Sequence, residues 1–259
     1  MRAPVASPPA ALRPPTARER ARALAVLDRL DAALPEARIA LRFGSDLELL
    51  VSVMLSAQCT DERVNRATPA LFARFRTAAD WAAARPRALW PFIRSLGLFR
   101  SKARNVVAAM ADIAERHGGR VPRTREELEA LPGVGRKTAG VVLIHLGQGR
   151  HFPVDTHVGR TSRRLGFARE LDPSRVERRL MALLPPERWN RGHQLLVWHG
   201  RRWCHARAPE CEACPVEDLC PRLGVPLHGE GESAPARATA PTRAASGAAR
   251  ARARPPGRP

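Results

Sequence analysis

The chain reads as an all-α protein. Three observations say so: helix-capping signals recur, apolar residues repeat at helical spacing, and no alternating run is bounded by hairpin turns. Thr16-x-x-Glu19, Ser45-x-x-Glu48 and Thr124-x-x-Glu127 each place a hydroxyl three residues before a glutamate, the pattern of a capping box. Asp172-Pro173 reads as an N-cap followed by proline at the first helical position. Leu47, Leu50, Val51, Met54 and Leu55 share one helix face, as do Val106, Val107, Met110 and Ile113. The short apolar run 141–146 could form a strand, but it continues the helix start at Lys137-Thr138-Ala139, so a buried helix is expected. About ten helices with short connections follow from these signals.

With 259 residues, 44% of them hydrophobic, the chain has room for one large domain or two small ones. No stretch approaches the roughly 20 apolar residues of a membrane helix. Residues 1–16 and 223–259 are rich in Pro, Ala, Gly and Arg and lack apolar periodicity, so both tails are expected to be disordered. The prolines of the first tail spoil a transit helix and no secretory segment follows, which points to the cytoplasm. The formal charge is +19. Removing +2 for residues 1–16 and +4 for 228–259 still leaves +13 on the rest. A folded part this basic points to a polyanion, nucleic acid ahead of an anionic membrane surface.

Of 44 basic residues only Lys102 and Lys137 are lysines. Arginine stays protonated at any workable pH, whereas a lysine amine can lose its proton and attack. Lys137 lies in Leu131-Pro132-Gly133-Val134-Gly135-Arg136-Lys137-Thr138-Ala139, which has the look of a helix–hairpin–helix turn. Gly133 and Gly135 let backbone N–H groups approach a phosphate, and the next helix offers its positive end to the same anion. The dipole at that helix start disfavours a positive charge on Lys137. Eighteen residues on, Val154-Asp155-Thr156-His157 offers either a helix N-cap or a carboxylate facing the amine across a cleft.

Cys204, Cys211, Cys214 and Cys220 form a C-x6-C-x2-C-x5-C cluster. Disulfides are disfavoured without a secretory signal. Four thiolates can hold tetrahedral zinc or a 4Fe–4S cubane, and spacing alone leaves both open, although zinc ribbons usually show two C-x2-C halves. Arg201, Arg202 and Arg207 are placed to offset the site's negative charge. Cys59 reads as a core thiol on an apolar helix.

These pieces together resemble the endonuclease III family of DNA glycosylase/AP lyases within the helix–hairpin–helix glycosylase superfamily. The matching segments are Leu55-Ser56-Ala57-Gln58-x-Thr60-Asp61, Gly97-Leu98-Phe99-x-Ser101-Lys102-Ala103, the hairpin, Val154-Asp155-Thr156-His157 and the cysteine cluster, in one order over about residues 17–222. The resemblance implies a 4Fe–4S cluster on the four cysteines. It implies a six-helix barrel over 39–149 and an iron–sulfur domain built from 17–38 and 150–222. It implies a bifunctional enzyme of base excision repair, in which Lys137 attacks C1′ and Asp155 assists. Gln58 would fill the gap left by an extruded nucleotide and Leu98 would wedge the stack. Lys102, Gly133, Gly135, Arg136 and His157 would meet DNA. The implied partner is double-stranded DNA carrying oxidised pyrimidines or abasic sites, bound by a monomer at the bacterial nucleoid.

Two rivals remain. An adenine-mismatch glycosylase would lack the lysine and carry a glutamate near Val51-Ser52-Val53-Met54, where no acid stands. A non-catalytic or weakly active iron–sulfur DNA-binding paralogue would need neither Lys137 nor Asp155. Cys59, Gly159 and Arg202-Trp203 depart from the family's usual residues.

Overall fold

The computed structural model describes residues 12–148 and 151–225. Among these, all regular structure is helical: α1 (Ala17–Ala33), α2 (Asp46–Leu55), α3 (Asp61–Arg74), α4 (Ala78–Ala82), α5 (Trp90–Ile93), α6 (Phe99–Arg116), α7 (Arg125–Ala130), α8 (Arg136–His145), α9 (Thr156–Arg164), α10 (Pro173–Leu183) and α11 (Trp189–Arg202), with three single 3-10 turns. No described helix is long and apolar enough to cross a membrane.

The expected caps are present, but two of the three expected boxes are not reciprocal: at α7 the Thr124 hydroxyl accepts from Glu127 N–H, while the Glu127 carboxylate takes that hydroxyl rather than the Thr124 N–H. Thr16 and Glu19 close a reciprocal box at α1. At α2 the Ser45 hydroxyl accepts from Glu48 N–H, but the Glu48 carboxylate turns to the N–H of Gly44. A further box, Thr77 with Asp80, escaped the sequence pattern because its return partner is aspartate rather than glutamate. Asp172 caps α10 by accepting from Arg175 N–H, with Pro173 at the first helical position. The 141–146 run is helical, as expected, through His145 of α8.

Two apolar cores organise the described residues. The first is drawn from α2 to α8 and runs from Leu41 to Leu143. α2 lies at its centre: residues Leu49 to Leu55 are all buried, so this helix is wrapped on every side. The second core gathers α1, α9, α10 and α11. Ile144, near the end of α8, already belongs to it, so α8 carries the chain from one core to the other. Gly192 lets α11 lie close to α1 and Phe152, since a Cβ there would sit 3.2 Å from Leu27.

Of the two tails, residues 1–11 and 226–259 lie outside the described residues. Residues 12–16 belong to the fold: Arg179 of α10 donates to the Arg13 carbonyl (2.8 Å), and Thr16 caps α1. Cys59 is not on a helix. It sits half-buried in the turn after α2, its N–H bonded to Ser56 C=O.

Candidate active site

The hairpin is formed by α7, the turn 131–135 and α8. Gly133 adopts φ +78°. A Cβ there would meet Asn105 at 2.6 Å, so both its conformation and its neighbours exclude a side chain. Gly135 has ordinary φ and acts as the N-cap of α8; nothing lies within 4 Å of the Cβ it lacks. No side chain caps α8, so its first N–H groups have no side-chain acceptor, a helix start that suits an anion.

Lys137 projects from the first turn of α8 with its side chain 59% exposed. Its Nζ stands 4.0 Å from Asp155 Oδ2, whose side chain is 15% exposed. Asp155 also caps α9, its Oδ1 accepting from Val158 N–H at 2.8 Å. The two readings offered by the sequence are therefore both realised, one on each carboxylate oxygen.

The pair lies in a cleft of about 200 Å³ bounded by residues of both cores, with Gln58, Asp61, His145, His193, Gln194 and Arg201 in its walls. Arg201 of α11 reaches Asp61 of α3 at 3.0 Å, tying the walls together. His193 Nδ1 bonds Pro153 C=O (3.1 Å), which fixes that nitrogen as the protonated one in the neutral ring. Burial pushes its imidazole down to about 4, against the pull of the Asp155 carboxylate. His145 is likewise held below its ordinary value by burial, and Gln194 bonds its Nε2 at 3.2 Å. The sequence reading missed Asp61, His145, His193 and Gln194 as wall residues. His145 left a trace, lying two helical turns past Lys137 on α8, and Asp61 ends the segment Leu55-Ser56-Ala57-Gln58-x-Thr60-Asp61.

Gln58 and Leu98 are two of the three non-glycine residues with positive φ among the described residues, at 53° and 58°. A left-handed conformation costs a branched or long side chain about 1–2 kcal/mol, and strain of this kind tends to mark functional positions. Leu98 is 61% exposed at the start of α6.

Three residues expected to meet DNA have defined intramolecular surroundings. Lys102 is 6% exposed and its Nζ has no hydrogen-bond partner. Burial lowers its ammonium below the usual value, with nearby Cys59 opposing and Arg63 adding to the effect. The reason is its register, since it sits on the α6 face that carries Val106, Met110 and Ile113 into the core. The Arg136 guanidinium is occupied by Glu177 of α10 at 3.0 and 2.8 Å. Glu177 also takes Arg125, and although burial pushes its carboxyl up, the two arginines hold it below its ordinary range. This triad latches the hairpin to the second core. His157 packs against α11, where a Cβ on Gly200 would meet its ring at 3.1 Å, and it is absent from the cleft walls.

The four cluster cysteines are free thiols that together wall one cavity, with Arg164, His199 and Trp203. Zinc would need three or four ligands converging on one ion with sulfurs roughly 3.8 Å apart. No group of three His, Cys, Asp or Glu among the described residues is so placed. Three donors point at sulfur: Arg164 Nη1 to Cys204 (3.4 Å), His199 Nε2 to Cys214 (3.3 Å) and Arg222 N–H to Cys220 (3.4 Å). Thiols spread round a cavity, with N–H groups aimed at them, fit a cubane cluster. The countercharge is not the expected one. Arg201 and Arg202 pair with Asp61 and Glu36, whereas buried Arg164, unmarked by any motif, sits beside Cys204 and binds the carbonyls of His205 and Ala206.

Comparison with known proteins settles the family. Residues 51–186 match the HhH-GPD superfamily of base excision DNA repair proteins. Endonuclease III of Synechocystis sp. is 45% identical over 206 residues, covering 79% of this chain and 94% of that one. The chain belongs to the endonuclease III family. Its cysteine segment, residues 204–220, matches the iron–sulfur binding domain of endonuclease III. Endonuclease III of Bacillus subtilis is 44% identical over 195 residues, covering 75% of this chain and 89% of that relative. A solved structure of a trapped endonuclease III–DNA covalent intermediate superposes with a TM-score of 0.74 at 42% identity, over 78% of this chain and 96% of that one. As a family member the chain is a DNA-binding base excision repair glycosylase and AP lyase, with a 4Fe–4S cluster on the cysteines.

Proposed function

We propose that the cleft removes oxidised pyrimidines from duplex DNA and cuts the strand 3′ to the resulting abasic site, with Lys137 as nucleophile and Asp155 as its partner. The observation that carries this reading is the 4.0 Å approach of Lys137 Nζ to Asp155 Oδ2 in a cleft between two cores. A relative solved as a trapped covalent intermediate with DNA supports it.

The chemistry follows from the groups present. A damaged base must leave the stack to reach the cleft, and a non-planar oxidised pyrimidine stacks poorly, so its extrusion costs less. Leu98 enters the stack and Gln58 occupies the vacated place. The lone pair of the neutral Lys137 amine attacks C1′ as the C1′–N bond breaks. The base departs with the bonding pair and takes up a proton. Positive character grows at the sugar carbon, and the Asp155 carboxylate stabilises it. Nζ then loses a proton, the C1′–O4′ bond breaks with its electron pair passing to O4′, which takes up a proton, and Nζ is left doubly bonded to C1′ as a protonated imine. The imine acidifies the C2′ proton, whose removal expels the 3′ phosphate. Hydrolysis of the imine then frees Lys137. Gly133, Gly135 and the open start of α8 hold backbone phosphate through N–H groups.

The same reading assigns residues 39–149 to a six-helix barrel domain and 17–38 with 150–222 to an iron–sulfur domain, working as a monomer at the bacterial nucleoid. Borohydride trapping on a duplex with one thymine glycol tests the nucleophile. The native chain should yield a covalent complex and Lys137→Gln none; equal trapping by both would remove Lys137 from the mechanism.

A further inference from the structure

A second basic feature lies outside the cleft. Arg85, Pro86, Arg87, Trp90, Arg100 and Arg104 line an open groove of about 880 Å³. All four arginines are exposed. None takes part in an ion pair among the described residues, whereas Arg125, Arg136, Arg179, Arg191 and Arg201 all do. Arg87 and Arg100 stack on Trp90, with guanidinium carbons 5.7 and 5.4 Å from the ring centroid. Stacking holds a guanidinium plane in place while leaving its N–H edge free, so less rotamer freedom is lost when an anion binds.

We propose that this groove grips the sugar–phosphate backbone of the duplex flanking the lesion, on the side where Leu98 enters. The inference rests on the reading of Leu98 given above. Leu98 is the residue before α6, and Arg100 and Arg104 follow on one face of that helix. At 1.5 Å of rise per residue they stand roughly 6 Å apart along the axis. That matches a step of one to two nucleotides, at about 3.4 Å per nucleotide of one strand. Planar guanidiniums suit phosphate oxygens, which they bind by paired N–H groups. An open groove suits a continuous backbone better than a small enclosed anion. The bases are not read here, since phosphate contacts position a duplex without reporting its sequence.

The test compares the full-length protein with Arg100→Ala/Arg104→Ala on a duplex carrying a non-cleavable abasic analogue with long arms on both sides. Each lost phosphate contact lowers the slope of log K against log salt by about 0.9, so the double variant should lose about 2. Shortening one arm to a few base pairs should bring the native protein down to the variant and leave the variant unchanged; shortening the other arm should weaken both alike. Arg100→Lys/Arg104→Lys should keep most of the slope. An unchanged slope in the alanine variant, or a loss that persists whichever arm is shortened, would overturn the proposal. In the first case the groove would serve another anionic partner. Native protein that still traps DNA with borohydride while the slope stays unchanged would defeat this inference alone; failure to trap would defeat the reading of Lys137 instead.

Discussion

The two lysines of this chain occupy similar places and opposite environments. Both lie in the first turn or so of a helix, Lys102 in α6 and Lys137 in α8. Lys137 is mostly exposed, with a carboxylate 4.0 Å away. Lys102 is 6% exposed and its amine meets no partner. Rarity in an arginine-rich chain marks both, and only the tertiary surroundings separate them. An amine at a cleft mouth can reach a substrate, whereas an amine on the core face of its helix is a cost the fold carries.

The comparison breaks most sharply at Lys137. Lys137→Gln should abolish strand cleavage and imine trapping while abasic-duplex affinity stays within a fewfold of native, measured by single-turnover incision beside a binding isotherm. The next effect is at its partner. Asp155→Asn should slow single-turnover base release about 10²–10³-fold, the scale of losing one electrostatic stabiliser. Asparagine caps a helix about as well as aspartate, so the melting temperature should hardly move. A near-native rate would take the carboxylate out of the chemistry.

Lys102 gives the smallest effect and the opposite sign. Lys102→Met fills a similar volume without a buried charge and should raise stability by about 1–2 kcal/mol, roughly 2–8 °C in Tm, with incision unchanged. The pH dependence follows from the direction of its shift. The folded-state pKa lies below the ordinary 10.5, so the folded chain gives up this proton before the unfolded chain does. The penalty is therefore complete below the folded value, and this group's contribution becomes less unfavourable as pH rises from that value towards 10.5. Thermal melts across that window should show a rise in the native protein that the methionine variant lacks. A drop in DNA affinity for Lys102→Met would restore Lys102 to the interface.

How much was legible follows from the same contrast. The helices, the hairpin and the cluster could be read because their signals are local: a cap three residues from its partner, two glycines in one turn, four cysteines within one loop. Lys137 and Asp155 were found because each sits in such a local pattern. The burial of Lys102 was visible in its register, since Lys102, Val106, Met110 and Ile113 fall on one stripe. The Ser-Lys-Ala segment drew attention to the motif instead of the face. Arg164 and His193 had no local mark. Arg164 becomes a cluster neighbour only when α9 lies against α11, and Arg136 turns from phosphate to Glu177 only when α10 packs beside the hairpin. Contacts between residues 40 or more apart in sequence arise from packing, which a linear pattern does not encode.

The carboxylate of Asp155 has a consequence beyond its charge. With one oxygen tethered to the α9 backbone, the group has lost its rotor, and the other oxygen cannot swing away when a sugar arrives. Ordering that would otherwise accompany each turnover is completed once, when the chain folds. Substitutions that fray the first turn of α9, even those remote from the cleft, should therefore register as slower chemistry before they register as unfolding.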